Sequence, residues 1–259
     1  MMVTARTMSH AKVTLPALQQ MKHDGRKIVG VVVYDHQMAQ IADRAGVDIV
    51  SAGDSVGVNF WGHRRESEVT LDQMLLVCRA VRRGVSRALV SCDVPVAALQ
   101  DGEEAAVRAA MRLVQEGGAD IVKVDAAAPF SGALGAVVRA GIPVWAQFGA
   151  ERADPMTDPL VREATQLEAS GASLLDFRHS GPIAGPEVVR AVRIPVIGGL
   201  GGGPWLDGRV RSIVAAIGYL ASAIDDATER YANVAATTLT AIEALCDDVR
   251  AGRPIRGSV

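Results

Sequence analysis

Three aspartates carry the chemistry most visible in this chain. Asp54, Asp93 and Asp125 each follow a short apolar run: Ile49-Val50 before Gly53-Asp54, Ala88 to Cys92 before Asp93, and Ile121-Val122 with Val124 before Asp125. A carboxylate at the exit of a buried strand sits where α/β folds place their active groups. Three carboxylates brought together raise one another's pKa values unless a cation intervenes. Oxygen ligands of this kind suit a hard divalent ion, Mg²⁺ above others. Ser55 stands beside Asp54, and Lys123 lies two residues before Asp125 on the same strand face. A lysine beside a metal can hold a substrate carboxylate or stabilise an enolate oxygen. The plainer alternative is a set of helix caps, Asp54 among them, plus a buried ion pair.

The elements that must position these groups repeat with a regular rhythm. Strands are expected at Ile28–Val33, from Ile49, at Ala88–Cys92, Asp120–Val124, Ile142–Ala146, Ser173–Phe177, Ile194–Ile197 and Val210–Ala216. Between them fall amphipathic stretches such as Gln37–Ala45, Leu71–Arg83, Glu103–Glu116 and Leu160–Ser170, several stopped by glycine. Eight strands alternating with helices demand a parallel sheet with right-handed crossovers. In 259 residues that predicts one (β/α)8 TIM barrel, read as a single domain over 1–259. Leu15 to His23 forms a leader helix, and Asp225 to Ala251 gives one or two covering helices. The C-terminal strand ends of a barrel meet at one mouth, which gathers the three aspartates.

Composition narrows the function. A net charge of −2 excludes a global pull toward nucleic acid or an anionic membrane. Three cysteines without metal-ligand spacing fit a reducing cytosol. No signal core or spanning apolar run is present, so the expectation is a cytoplasmic protein. The glycine run Gly198 to Gly203 is a weak phosphate-cradle signal. His63, beside Trp61, is read equally as a mouth residue or as packing.

The order of these motifs resembles ketopantoate hydroxymethyltransferase, a family within the phosphoenolpyruvate mutase/isocitrate lyase superfamily. The likeness is carried by Tyr34-Asp35, Ala45-Gly46-Val47-Asp48, Gly53-Asp54-Ser55-Val56-Gly57, Val69-Thr70-Leu71-Asp72 and Ala80 to Gly84. It continues through Asp93-Val94-Pro95, Gly118-Ala119-Asp120, Val122-Lys123, Ala140 to Val144, Ile194 to Gly198 and Asp207-Gly208. The resemblance implies a Mg²⁺-dependent barrel that deprotonates a 2-oxo acid at C3 and adds a one-carbon unit from methylenetetrahydrofolate. It implies Asp54 and Asp93 as metal-site aspartates, with Asp125 at the third acidic position. It implies Ser55 as partner of the substrate carboxylate and Lys123 as the lysine beside the bound 2-oxo acid. A homo-oligomer is implied by resemblance alone.

The sequence also departs from that pattern. The third acid is Asp125 where the family has Glu, one methylene shorter. The family's catalytic Glu aligns with Arg178, and a guanidinium is not a base at neutral pH. The stretch from Gln147 to Asp158 replaces a longer segment, and Arg64-Arg65-Glu66-Ser67-Glu68 is unlike the family's loop. Arg178 is suited to hold a second carboxylate or a phosphate, or to pair with Asp176 on the same strand face. A replacement base is sought among His179, Asp176 and Glu151. The expected activity is therefore Mg²⁺-dependent carbon–carbon bond formation or cleavage through a 2-oxo-acid enolate, hydroxymethyltransferase- or aldolase-like, and not strict ketopantoate synthesis. The expected site is Lys123, Arg178 and His179 for catalysis, Ser55, Asp93 and Lys123 for substrate, and Asp54, Asp93 and Asp125 for metal. The alternatives are a lyase or mutase of a phosphorylated or dicarboxylic acid, and a non-catalytic paralogue.

Overall fold

The computed structural model describes residues 11–125, 127–149, 157–199 and 202–257. The chain divides into two compact units, Met1–Arg211 and Ser212–Val259. The first begins with α1 (Leu15–His23), β1 (Ile28–Val33), α2 (His36–Ala45), β2 (Ile49–Ala52) and the short α3 (Val56–Phe60). Next come α4 (Leu71–Gly84), β3 (Leu89–Asp93), α5 (Val96–Gln100), α6 (Glu103–Gln115), β4 (Ile121–Val124) and α7 (Ser131–Arg139). The unit finishes with β5 (Val144–Gly149), α8 (Thr157–Ala169), β6 (Leu174–Arg178), α9 (Ala184–Ala191), β7 (Val196–Gly198) and β8 (Gly208–Ser212), whose last residue opens the second unit. The strands close into a barrel in sequence order, and the pairs from β1·β2 to β7·β8 are parallel.

Local chemistry sets these boundaries. The Asp35 carboxylate caps α2 by accepting the Met38 N–H, and Gly46 ends it in the left-handed region at φ 86°. Thr70 and Gln73 form a reciprocal capping box at the start of α4. Most strands open on apolar residues and are buried along nearly their whole length, as a parallel sheet inside a shell of helices requires. Inside, the first interior residues of the strands, Ile28, Ile49, Leu89, Ile121, Trp145, Leu174, Ile197 and Val210, form one cluster. Leu18 and Met21 of α1 pack into the same cluster, so the leader helix closes the barrel floor.

The last strand differs from the expected Val210–Ala216. It runs Gly208–Ser212, and Ile213–Ala216 is a helical turn, α10. Gly208 lies against the Ile28 carbonyl, where a Cβ would sit 2.3 Å from that oxygen, so the strand starts at a residue that reads as a turn. In the second unit the segment expected as one or two helices is a single helix, α11 (Val234–Arg250). The Asn233 side chain caps it, accepting the Ala236 N–H and donating to the Ala223 carbonyl. No helix among the described residues is long and apolar enough to cross a membrane.

Candidate metal and 2-oxo-acid site

Side chains alternate across a strand, so each strand that starts on a floor residue sends every second residue inward. Above the floor the interior positions become polar: Ser51 on β2, Ser91 and Asp93 on β3, Lys123 on β4, Gln147 on β5, and Asp176 and Arg178 on β6. Asp54 and Asp125 follow the ends of β2 and β4. One carboxylate oxygen from each of Asp54, Asp93 and Asp125 lies within 4.8 Å of the others. Three distant segments thus meet as the strand-end pattern requires.

Among the described residues none of these aspartates is the N-cap of the helix that follows it; α5 and α7 start from Pro95 and Phe130. The N-cap of α3 is Ser55, with no side-chain capping bond, and the Asp54 carboxylate does not cap that helix. Asp93 is 5% exposed; among the described residues its Oδ2 accepts the Asp54 backbone N–H, at 3.1 Å, and its Oδ1 has no hydrogen-bond partner. Gly53 lets the chain pass close to β1, because a Cβ there would lie 2.5 Å from Val32 Cγ1. Burial raises the Asp54 pKa to about 6, with Asp125 adding to the rise and Lys123 opposing it. Burial likewise pushes Asp93 well above the usual carboxylate range, against the pull of Lys123. A clustered, poorly satisfied, acid-only donor set fits a hard divalent cation.

Lys123 borders this cluster on the Asp125 side. Its Nζ pairs with Asp125 Oδ1 and lies 3.9 Å from Asp93 Oδ1 and 3.7 Å from Asp176 Oδ2. Burial acts to lower its pKa, but the carboxylates of Asp125, Asp93 and Asp176 outweigh that and hold it well above its ordinary value. The pairing of Arg178 with Asp176, the alternative to anion binding, is not formed. Asp176 turns to Lys123, accepts Gln147 Nε2 at 3.3 Å, and takes the Gly199 N–H at 3.3 Å. Arg178 Nη1 donates to the other end of the same amide, Gln147 Oε1, at 3.3 Å. Residues two apart on a strand share a face, but cross-strand register offers nearer partners: β5·β6 sets Gln147 beside Asp176. Gln147 is a site residue that the sequence reading assigned no role, although its parity with Trp145 marks it as interior.

Ser55 Oγ shares a hydrogen bond of 3.0 Å with Tyr34 Oη, to which Asn59 Nδ2 donates at 2.9 Å. Tyr34 and Asn59 therefore orient the serine; neither was singled out for this role. His179 follows β6 with a left-handed backbone at φ 50°, and its ring makes no hydrogen bond to the described residues. His63 Nδ1 is buried without a hydrogen-bond partner and packs against Gly57 and Trp61. Glu151 and the central part of the Gly198–Gly203 run lie outside the described residues.

With this geometry in view, similarity to known proteins is informative. A family model described as ketopantoate hydroxymethyltransferase matches residues 12–254. A 3-methyl-2-oxobutanoate hydroxymethyltransferase of Cyanothece sp. is 34% identical, over 92% of this chain and 96% of that protein. The protein of that name from Moorella thermoacetica is 33% identical, over 94% of this chain and 95% of that one. Among solved structures, a 2,3-dimethylmalate lyase of the PEP mutase/isocitrate lyase superfamily aligns with a TM-score of 0.67 at 15% identity, covering 94% of this chain and 90% of its own. A phosphonopyruvate hydrolase complexed with oxalate and Mg²⁺ aligns with a TM-score of 0.58 at 13% identity, covering 92% and 88%. At such identities these two establish the shared barrel.

Proposed function

Since the chain belongs to the ketopantoate hydroxymethyltransferase family, we propose that it is a Mg²⁺-dependent enzyme that forms or cleaves a carbon–carbon bond beside the carbonyl of a 2-oxo acid. The observation that carries this reading is the acid cluster: one oxygen from each of Asp54, Asp93 and Asp125 within 4.8 Å of the others, with one buried oxygen of Asp93 unpartnered among the described residues. Those three carboxylates would hold the cation. When bound, it supplies Lewis acidity that makes the C3–H of a chelated 2-oxo acid easier to remove.

The chain's own residues supply the rest. Lys123 places a fixed positive charge beside the cluster, where it opposes negative charge developing on the substrate oxygens. Ser55, oriented by Tyr34, donates to the substrate carboxylate. Arg178 cannot accept the C3 proton. Asp176 has a described contact with the centre, through Lys123 at 3.7 Å, and burial raises its pKa, so the proton is assigned to its carboxylate. That assignment moves the base two residues along β6 from the family's position, and the activity is then not strict ketopantoate synthesis. The family resemblance supports methylenetetrahydrofolate as the one-carbon donor and a homo-oligomer, and the cysteine usage supports a cytoplasmic location. The half-buried Arg178, whose one side-chain partner among the described residues is a neutral amide, favours a second reading: a lyase or mutase acting on a dicarboxylic or phosphorylated acid.

The test is exchange of the C3 protons of a panel of 2-oxo acids in deuterated water, followed by NMR. Exchange should require both protein and Mg²⁺, and should disappear in Asp93→Asn and in Asp176→Asn. If no acid in the panel exchanges in a metal-dependent way, the enolate reading is wrong. If exchange survives in Asp176→Asn, the base lies elsewhere.

A further inference from the structure

We infer that Arg178 and Gln147 form a receptor for a second anionic group on the substrate, so that the natural 2-oxo acid is a dianion whose distal group is a carboxylate or a phosphoryl group. This rests on the enolate reading and adds the substrate class. A guanidinium has five N–H donors and almost never loses its charge. Arg178 stands on the interior face of β6 and spends one donor on a neutral amide oxygen, Gln147 Oε1, at 3.3 Å. Its Nε–H is buried with no acceptor among the described residues, and no described carboxylate lies within ion-pair distance of it.

The acid two residues away does not relieve this. Asp176 is 3% exposed, and Lys123, Gln147 and the Gly199 N–H already engage it. Gln147 fixes the arrangement. Its NH₂ is committed to Asp176, so its carbonyl must face Arg178, which holds the guanidinium in place without neutralising it. A half-buried cation that is oriented but given no counter-charge by the described residues is costly to keep. An incoming carboxylate or phosphoryl group, held by two parallel charge-assisted hydrogen bonds, removes that cost. The polar chain Arg178–Gln147–Asp176–Lys123 leads from this receptor to the acid cluster. One ligand can therefore meet the cation site with its 2-oxo-acid end and Arg178 with its other end.

Calorimetry on the full chain with saturating Mg²⁺ tests this, using oxalate and pyruvate as probes without a distal anion. Oxaloacetate and 2-oxoglutarate carry a distal carboxylate, and phosphonopyruvate carries a distal phosphonate. At least one dianion should bind roughly 10- to 100-fold more tightly than pyruvate, the preferred one telling carboxylate from phosphonate. Arg178→Ala should abolish that preference and leave oxalate affinity unchanged. Arg178→Lys, which keeps the charge but not the fork, should retain only part of it. A flat series with oxalate still bound overturns the receptor alone. So does an Arg178→Ala variant that melts earlier but keeps the preference, which would make the arginine structural. Failure of oxalate to bind with Mg²⁺ overturns the metal and 2-oxo-acid reading first, and the receptor with it.

Discussion

Asp43 and Asp93 are both buried, at 7% and 5% exposure, and the protein treats them in opposite ways. Asp43 receives four donors: the Ser86 hydroxyl and the N–H groups of Ser86, Arg87 and Ala88. Burial alone would raise its pKa, yet those bonds more than offset it and hold Asp43 below the usual carboxylate value. It pins the turn that delivers the chain into β3. Other aspartates at the floor end work alike: Asp48 accepts the Val29 N–H, Asp120 the Val90 N–H and Asp207 the Val196 N–H. Each holds the start of a neighbouring strand. At the mouth, Asp93 has one donor and an orphan oxygen among the described residues, and burial moves its pKa up. A floor-end carboxylate that finishes its bonding on backbone donors holds the scaffold, whereas one left unfinished in a like-charged group retains the capacity to meet a ligand.

Substitutions at the two ends should separate these roles. Removing Asp43 should have the largest effect, since Asp43→Ala leaves several buried donors without an acceptor. A loss of about 3 kcal/mol is expected, lowering the melting temperature by roughly 6–12 °C. Asp93→Asn should do the reverse. Cation affinity in calorimetry should fall about a hundredfold, while the melting temperature without added cation stays level or rises. If Asp93→Asn instead destabilised the cation-free protein as much as Asp43→Ala does, the mouth aspartates would be scaffold too, and the contrast would collapse.

Much of this was legible in the residue order. Alternating apolar runs and glycine-stopped helices specified a closed parallel barrel, and barrel topology alone gathers Asp54, Asp93 and Asp125. The motif Gly-Val-Asp or Gly-Ala-Asp at Asp48 and Asp120 and the motif Gly-Asp-Ser at Asp54 each centre on an aspartate. What tells them apart is the side of the strand on which they fall, which the apolar runs reveal. The partners of Arg178 were not legible. They depend on the register between β5 and β6 and on which of two nearby cations Asp176 chooses, and neither leaves a trace along a single strand. The start of β8 was hidden because Gly208 reads as a turn, while its role is to let two backbones come close.

The smallest expected effect is also the one whose sign depends most directly on the contrast. In the cation-free protein the Asp54 pKa is raised to about 6 from 3.8 by burial and by Asp125. The folded state then holds its proton more tightly than the unfolded state, so the stability Asp54 contributes is complete below pH 3.8 and is lost as pH rises through about 6. For Asp43, whose folded pKa is depressed, the contribution is present above its unfolded value and is lost as pH falls through the folded one. Stability of wild type relative to Asp54→Asn should therefore decline from pH 4 to pH 7. The change should be about 1 kcal/mol after allowance for partial exposure. Wild type relative to Asp43→Asn should gain with rising pH from the acid end. Mg²⁺ must displace the same proton, so its affinity should drop by up to tenfold per unit below pH 6. Denaturant titrations at several pH values, paired with calorimetry, measure both slopes. Two variants whose slopes share a sign would show that burial alone, and not the mouth's unfinished bonding, sets these carboxylates apart from ordinary ones.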